Sequence, residues 1–256
     1  MDTFEFLEVT FDRGVAVITL QREPLNVLHH PMMTELNTAL EGVVSSEDFA
    51  AIVIRATGRA FCAGVDVADH TADKVGEMIH RFHGIFRKLA STDALTIAVV
   101  HGAALGGGCE LACFCDIVLA SDRAKFGQPE VAVGVFPPVA ASILPAQVGI
   151  RKAVEINALG ATIDAREAHR IGLVNQVYPS ETFEADVARF VERLQKLSRP
   201  VVRLSKRATC FAAREQSLAH LDQTEAMYLG ALMKLHDAHE GVAAFLEKRA
   251  PVWRHA

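Results

Sequence analysis

Two glutamates lie in glycine-containing segments, and those neighbourhoods set the chemistry open to them. Glu110 closes the stretch His101-Gly-Ala-Ala-Leu-Gly-Gly-Gly-Cys-Glu110, which follows the apolar run Leu95–Val100. An apolar run that breaks into three glycines and resumes at helical spacing reads as strand, tight turn and helix N-terminus. Such a turn carries free backbone N–H groups. Glycine lets a ligand approach them closely and the helix adds its positive dipole end, so the turn suits a negatively charged oxygen. Glu110 falls in the first helical turn, either as a favourable charge on the helix or as an acid/base beside a polarised substrate. Glu130 is the second carboxylate, carried by the loop Gln128-Pro-Glu-Val-Ala-Val-Gly-Val-Phe-Pro-Pro138.

The elements that must position these groups follow from hydrophobic spacing. Phe4–Phe11 and Val15–Leu20, split by Asp12-Arg13-Gly14, predict a hairpin. Pro31 opens a helix with Met32, Met33, Leu36, Leu40 and Val43 on one face. A strand at Ala51–Arg55 leads into the small-residue loop Ala56-Thr-Gly-Arg-Ala-Phe-Cys-Ala-Gly-Val-Asp66 and a helix from about Ala72 to Leu89. Leu95–Val100 starts the next round, and Ile117–Ala120 with Lys125-Phe-Gly continue it. Strand, small-residue loop and helix in repetition make an α/β plan whose loops collect on one side. Helices are expected at Val139–Val148 and Arg151–Leu159. Asp164 and Glu167 have capping-box spacing, and Gly172 ends that helix before a strand at Leu173–Tyr178. Beyond Ser180 only amphipathic helices are expected, packed on the body or on another subunit.

Composition narrows the function classes. The chain has 256 residues, half of them hydrophobic, enough for one large core. A net charge of −5 and no run of Lys and Arg argue against nucleic acid. No apolar segment is long enough to span a bilayer, and the acidic start Met1-Asp-Thr-Phe-Glu lacks the basic flank of a signal peptide, so a cytoplasmic protein is expected. Five cysteines without paired C-x-x-C spacing read as reduced core thiols. The pairs His80/His83 and His236/His239 sit in charged amphipathic segments and read as solvated faces rather than metal sites.

Three segments carry a family resemblance. Ala60-Phe-Cys-Ala-Gly-Val-Asp66, Gly102-Ala-Ala-Leu-Gly-Gly-Gly-Cys-Glu-Leu-Ala112 and Phe126-Gly-Gln-Pro-Glu130 resemble, in order and spacing, the signatures of the crotonase superfamily of enoyl-CoA hydratases and isomerases. Phe245-Leu-Glu-Lys-Arg-Ala-Pro-Val252 is similar to that family's C-terminal segment. The resemblance implies a spiral of ββα turns over residues 1–195 with the acyl-CoA site, and a helical region over 196–256 that forms a homotrimer or a dimer of trimers. It implies that the N–H groups of Val65 and Gly107 bind the thioester oxygen, and that Glu110 and Glu130 hold water and handle the proton on the substrate carbon. It places CoA beside Arg22, Leu25, Ala63, Asp66, Val67 and Lys248. No metal and no separate cofactor are implied, because coenzyme A is part of the substrate.

One stretch departs from the family pattern. Relatives usually follow the second glutamate with a loop resembling Pro-Gly-Ala-Gly-Gly, whereas this chain has Gly134-Val-Phe-Pro-Pro-Val-Ala-Ala-Ser142. Pro137, Pro138 and Val139 in place of flexible glycines stiffen and enlarge the acyl-pocket wall, where Phe136 and Pro137 are expected to meet the substrate. With Pro24-Leu-Asn-Val-Leu28 and Ala63–Thr71, this loop is most similar to the branch that hydrates cyclohexa-1,5-diene-1-carbonyl-CoA. A general 2-enoyl-CoA hydratase/isomerase and a non-catalytic acyl-CoA-binding protein are the alternatives. His70 could line the pocket, though a loop-stabilising role is preferred.

Overall fold

The computed structural model describes residues 3–256, so the acidic start at Met1 and Asp2 lies outside the described residues. β1 (Leu7–Asp12) and β2 (Val15–Leu20) form the expected hairpin, paired from Leu7↔Leu20 to Asp12↔Val15. The strand begins three residues later than the apolar run because the N–H groups of Glu5 and Phe6 donate to the Glu35 carboxylate at 2.9 Å, away from the sheet.

After α1 (His30–Val44) the chain makes three similar turns. The first is β3 (Ala51–Ala56), β4 (Ala60–Cys62) and α2 (Val75–Ser91). The second is β5 (Leu95–Val100), β6 (Ala103–Leu105) and α3 (Gly107–Phe114). The third is β7 (Ile117–Ser121) and β8 (Lys125–Gly127), followed by a 3₁₀ turn at Pro129–Val133, α4 (Pro138–Val148) and α5 (Ile150–Leu159). β9 (Thr162–Asp164), α6 (Ala165–Arg170) and β10 (Gln176–Tyr178) complete the α/β part. The Asp164 side chain caps α6 by accepting from the Glu167 N–H at 2.8 Å. The expected strand from Leu173 shortens to β10 because the Leu173 and Val174 amides turn back onto the Ala168 carbonyl.

Each turn contributes one strand to each of two sheets. The larger runs β1-β2-β3-β5-β7-β10 and the smaller β4-β6-β8-β9. β3, β5 and β7 are parallel neighbours, as are β4, β6 and β8, so the chain advances by one rung per turn in both sheets together. That is the spiral the resemblance implied. The three-residue strands β4, β6 and β9 had no hydrophobic period of their own to reveal them.

The main core lies between the larger sheet and α1, α2 and α3, with Ile18, Met32, Leu36, Ile54, Phe86 and Leu111 fully buried. The opposite face of that sheet, Val15, Val53, Ile97, Val99 and Leu119, is covered by Phe183, Val187 and Leu194 of α7 (Phe183–Gln195). α8 (Arg199–Gly230) then crosses the molecule as a single 32-residue helix, and α9 (His236–Leu246) returns over the 3₁₀ turn. Near its start, buried Lys206 places Nζ 2.6 Å from Asp116 Oδ2 at the head of β7. α8 also covers α2, and this corrects the expectation for His83: the ring is fully buried, 2.7 Å from Glu225, while His80 stays exposed. Cys62, Cys109, Cys113 and Cys115 are buried free thiols, but Cys210 is only half-buried. No helix among the described residues is long and apolar enough to cross a membrane.

Candidate active site

The smaller sheet explains why three segments distant in sequence meet. Cys62 pairs with Ala104 and Leu105 with Gly127, so the segments leaving β4, β6 and β8 emerge from adjacent rungs at one edge. They surround a cavity of about 340 Å³. Ala63, Val65 and Val67 line it from the first loop, Gly107 and Glu110 from the second, and Glu130 from the third.

Close approach between the loops rests on glycine. Gly106 has φ +52°, and a Cβ there would lie 2.8 Å from Glu130 Oε1. A Cβ on Gly108 would lie 2.1 Å from the Cys62 carbonyl oxygen. Two backbone N–H groups face the cavity as a result. Leu28 bonds to both neighbours of Val65, donating to Gly64 O at 2.9 Å and accepting from Asp66 N at 2.8 Å, which turns the Val65 N–H the other way. Gly107 opens α3, where first-turn N–H groups have no acceptor within the helix. Together they form a concavity for an oxygen that gains negative charge.

The two carboxylates line the same cavity. Glu110 is 2% exposed, and its Oε1 accepts from the Ala140 N–H at 2.8 Å. Burial pushes its carboxyl up to about 7, against the opposing effect of the Ala140 and Val139 amides. Burial also pushes Glu130 well above the ordinary carboxylate range, and the Glu110 charge adds to it. Two neighbouring carboxyls that repel each other titrate as a unit, and both are held above the ordinary carboxylate range, where one can act as acid and the other as base.

Gln128, fully buried, ties Glu130 to the glycine turn. With its amide nitrogen toward them, it donates to Gly106 O at 3.2 Å and to Glu130 Oε1 at 3.1 Å.

The remaining sequence-predicted residues divide. Phe136 lines the cavity, whereas Pro137 is buried behind it and its neighbour Pro138 reaches the wall. Arg22, Leu25, Asp66 and Lys248 do not form part of that wall. Arg22 donates to Val27 O at 2.9 Å, and Leu25 O accepts from the Ala63 N–H, so both belong to the loop packed beside the cavity mouth. Asp66 caps the 3₁₀ turn Val67–His70 through the Ala68 N–H. Lys248 follows α9 with φ +55° and is exposed. His70 does both things weighed for it: Nδ1 lies 3.0 Å from Asp66 O while the ring lines the cavity.

Several contributors carried no sequence signal strong enough to find. Asn26, fully buried, donates to Thr57 O and Ala60 O and anchors the first loop. Tyr228 and Phe82 line the cavity from α8 and α2. Gln128 stood inside a recognised motif without a role. Tyr228 is one of only two tyrosines and continues the helical stripe Leu221, Thr224, the one hint available.

The sequence profile of the enoyl-CoA hydratase/isomerase family matches residues 10–256. The chain belongs to that family. Among relatives, a probable enoyl-CoA hydratase of Mycobacterium tuberculosis is 37% identical over 256 residues, covering 99% of each chain. The cyclohexa-1,5-dienecarbonyl-CoA hydratase of Thauera aromatica is 34% identical over 250 residues, covering 96% of each. The crystal structure of an enoyl-CoA hydratase from Mycobacterium avium subsp. paratuberculosis superposes with a TM-score of 0.88 at 30% identity, over 98% of this chain and 99% of that one. The family likeness therefore extends through α9 and is not confined to the three signature loops.

Proposed function

We propose that the chain is a hydro-lyase that adds water to the conjugated double bond of an enoyl-CoA thioester. The observation that carries this reading is a buried Glu110 and a half-buried Glu130, both carboxyls held above the ordinary range, lining one cavity with Val65 and Gly107, whose backbone amides are free. In the addition, the ionised carboxylate takes a proton from water as its oxygen bonds to the electrophilic carbon. The displaced π electrons move to the thioester oxygen, where the Val65 and Gly107 N–H groups bind the charge. The protonated carboxyl then supplies the hydrogen to the other carbon, and coenzyme A stays part of the substrate throughout. Donors that bind the developing oxyanion more tightly than the ground-state carbonyl lower the barrier, each by on the order of 10²–10³ in rate.

The acyl group we propose is cyclohexa-1,5-diene-1-carbonyl. Support comes from the cavity wall made by Phe136 and Pro138, and from the likeness to the Thauera hydratase. For assembly we propose a homotrimer or a dimer of trimers. Its support is the exposed apolar side chains Ile150, Val154 and Leu159 on α5 and Val201, Leu204 and Phe211 on α8, more than a solitary helix face leaves in water.

The test is a comparison of kcat/KM for hydration of crotonyl-CoA and of cyclohexa-1,5-diene-1-carbonyl-CoA by the same protein. Preference for the cyclic diene is expected. Preference for crotonyl-CoA would replace the substrate by ordinary 2-enoyl chains, and turnover of neither would overturn the hydratase reading.

A further inference from the structure

Tyr228 is a polar group on the cavity wall that the fold leaves unexplained. It is 1% exposed, and its hydroxyl has no hydrogen-bond partner among the described residues. A phenol buried this deeply ordinarily finds a partner, because an orphaned hydroxyl is costly.

Its place is well determined. One turn earlier on α8, Thr224 donates to Pro138 O at 2.9 Å, fixing the helix to the loop that follows the glutamates. The Phe136 ring packs edge-on against the phenol with centroids 5.2 Å apart. The ring lines the same cavity as Glu110 and Glu130. Burial, followed by the charges of Glu130 and Glu110, pushes the phenol above its ordinary range, so it keeps its proton at any working pH.

The fold supplies no partner for this hydroxyl, and the cavity that Tyr228 lines is where one can be brought. The thioester oxygen is already accounted for at the Val65 and Gly107 amides. The other oxygen in a hydration is the one being added, which arrives as water and remains as a hydroxyl.

We propose that the Tyr228 hydroxyl hydrogen-bonds to the oxygen that the glutamate pair adds to the acyl chain, holding water before attack and the product hydroxyl after it. The inference rests on the hydratase reading. No proton leaves the phenol. A carboxylate takes one water proton, one lone pair forms the new C–O bond, and the Tyr228 O–H donates to the remaining lone pair.

The experiment uses full-length Tyr228→Phe with three readouts. Hydration of crotonyl-CoA should fall about 10- to 100-fold in kcat with KM changed by less than about threefold, the size expected for losing one buried hydrogen bond that orients the attacking water. Exchange of the α-hydrogens of butyryl-CoA with D₂O needs the glutamates and amides but no added oxygen, and should stay within about threefold of wild type. Equal losses in both reactions would mean a structural role and overturn the proposal, as would unchanged hydration. The third readout needs no turnover. Wild type should bind 3-hydroxybutyryl-CoA more tightly than butyryl-CoA, which lacks only the hydroxyl, and Tyr228→Phe should lose that difference. If wild type hydrates no substrate, the hydratase reading falls, and this binding difference alone decides whether Tyr228 contacts a ligand hydroxyl. Its absence from wild type would overturn the proposal.

Discussion

The two walls of the cavity are built by different means. The amide wall is made of backbone: Val65 and Gly107 present N–H groups whose directions are set by the Leu28 bridge and by the start of α3. The carboxylate wall is made of side chains, with Glu110, Glu130, Phe136 and Tyr228 drawn from three helical segments and a proline loop. A backbone donor has no side chain to exchange, so that wall changes only through its glycines or its sheet register. The side-chain wall can be altered one group at a time. On the proposed reading the amides that bind charge are thus fixed by the backbone, while the side chains that share the cavity can be changed one at a time.

The largest effect should come from the side-chain wall. Glu110→Gln and Glu130→Gln should each lower hydration kcat by on the order of 10³- to 10⁴-fold, the upper range for a lost general acid or base, with substrate binding retained. Steady-state kinetics with a parallel CoA-ester titration would check this. Comparable activity in either variant would remove the carboxylate pair from the mechanism.

The backbone wall should break through glycine alone. A Cβ on Gly107 would lie 2.7 Å from Val65 Cγ2 and 2.9 Å from Phe82 Cζ, so Gly107→Ala must displace both side chains beside the amide and disturb its approach to the ligand oxygen. A loss of about 10²- to 10³-fold in kcat is expected, as for removal of an oxyanion donor. If instead the loss appears only in KM, the amides bind ground state and transition state equally, and the contrast between the walls disappears.

A third measurement concerns what the carboxylate wall does to folding. Glu110 titrates at about 7 in the fold against an ordinary 4.5, so folding takes up a proton between those values. Stability from this position is complete below about pH 4.5 and is lost as pH rises through about 7. Glu110→Gln abolishes that loss, so the variant should gain stability over wild type between about pH 4 and about pH 9. Urea melts at the two pH values would show it. A pH-independent difference would mean that Glu110 is not held up by burial.

The smallest effect should come from the proline loop. Pro137→Ala combined with Pro138→Ala loosens the wall without adding bulk, and should shift the ratio of kcat/KM for cyclic diene over crotonyl-CoA by about tenfold toward crotonyl-CoA. An unchanged ratio would place specificity elsewhere.

Much of this arrangement was legible. Gly106–Gly108 beside Glu110 spelled out a strand, turn and helix start, and the long strands of the larger sheet follow the apolar runs to within a few residues. Less could be read where a contact joins residues remote in sequence. His83 looked solvated on the face of α2 because Glu225, 142 positions away, is invisible in a helical periodicity. Tyr228 read as one more residue of an amphipathic tail, since only the packing of α8 on Pro138 turns it toward the glutamates. In the smaller sheet β4, β6 and β9, three residues each, are defined by their neighbours rather than by any pattern of their own.

α8 also has mechanical meaning. Its anchor at Lys206 and its contribution to the cavity at Tyr228 sit on one continuous helix, about 33 Å apart at 1.5 Å per residue. A rod of that length is a lever: tilting it by about 2° about the Lys206 end displaces the Tyr228 end by about 1 Å, a misplacement large enough to cost a catalytic site on the order of 10²-fold. The tip is pinned against that displacement by Thr224 on Pro138 O and by Glu225 on His83, while Phe211, between the two ends, is exposed to solvent.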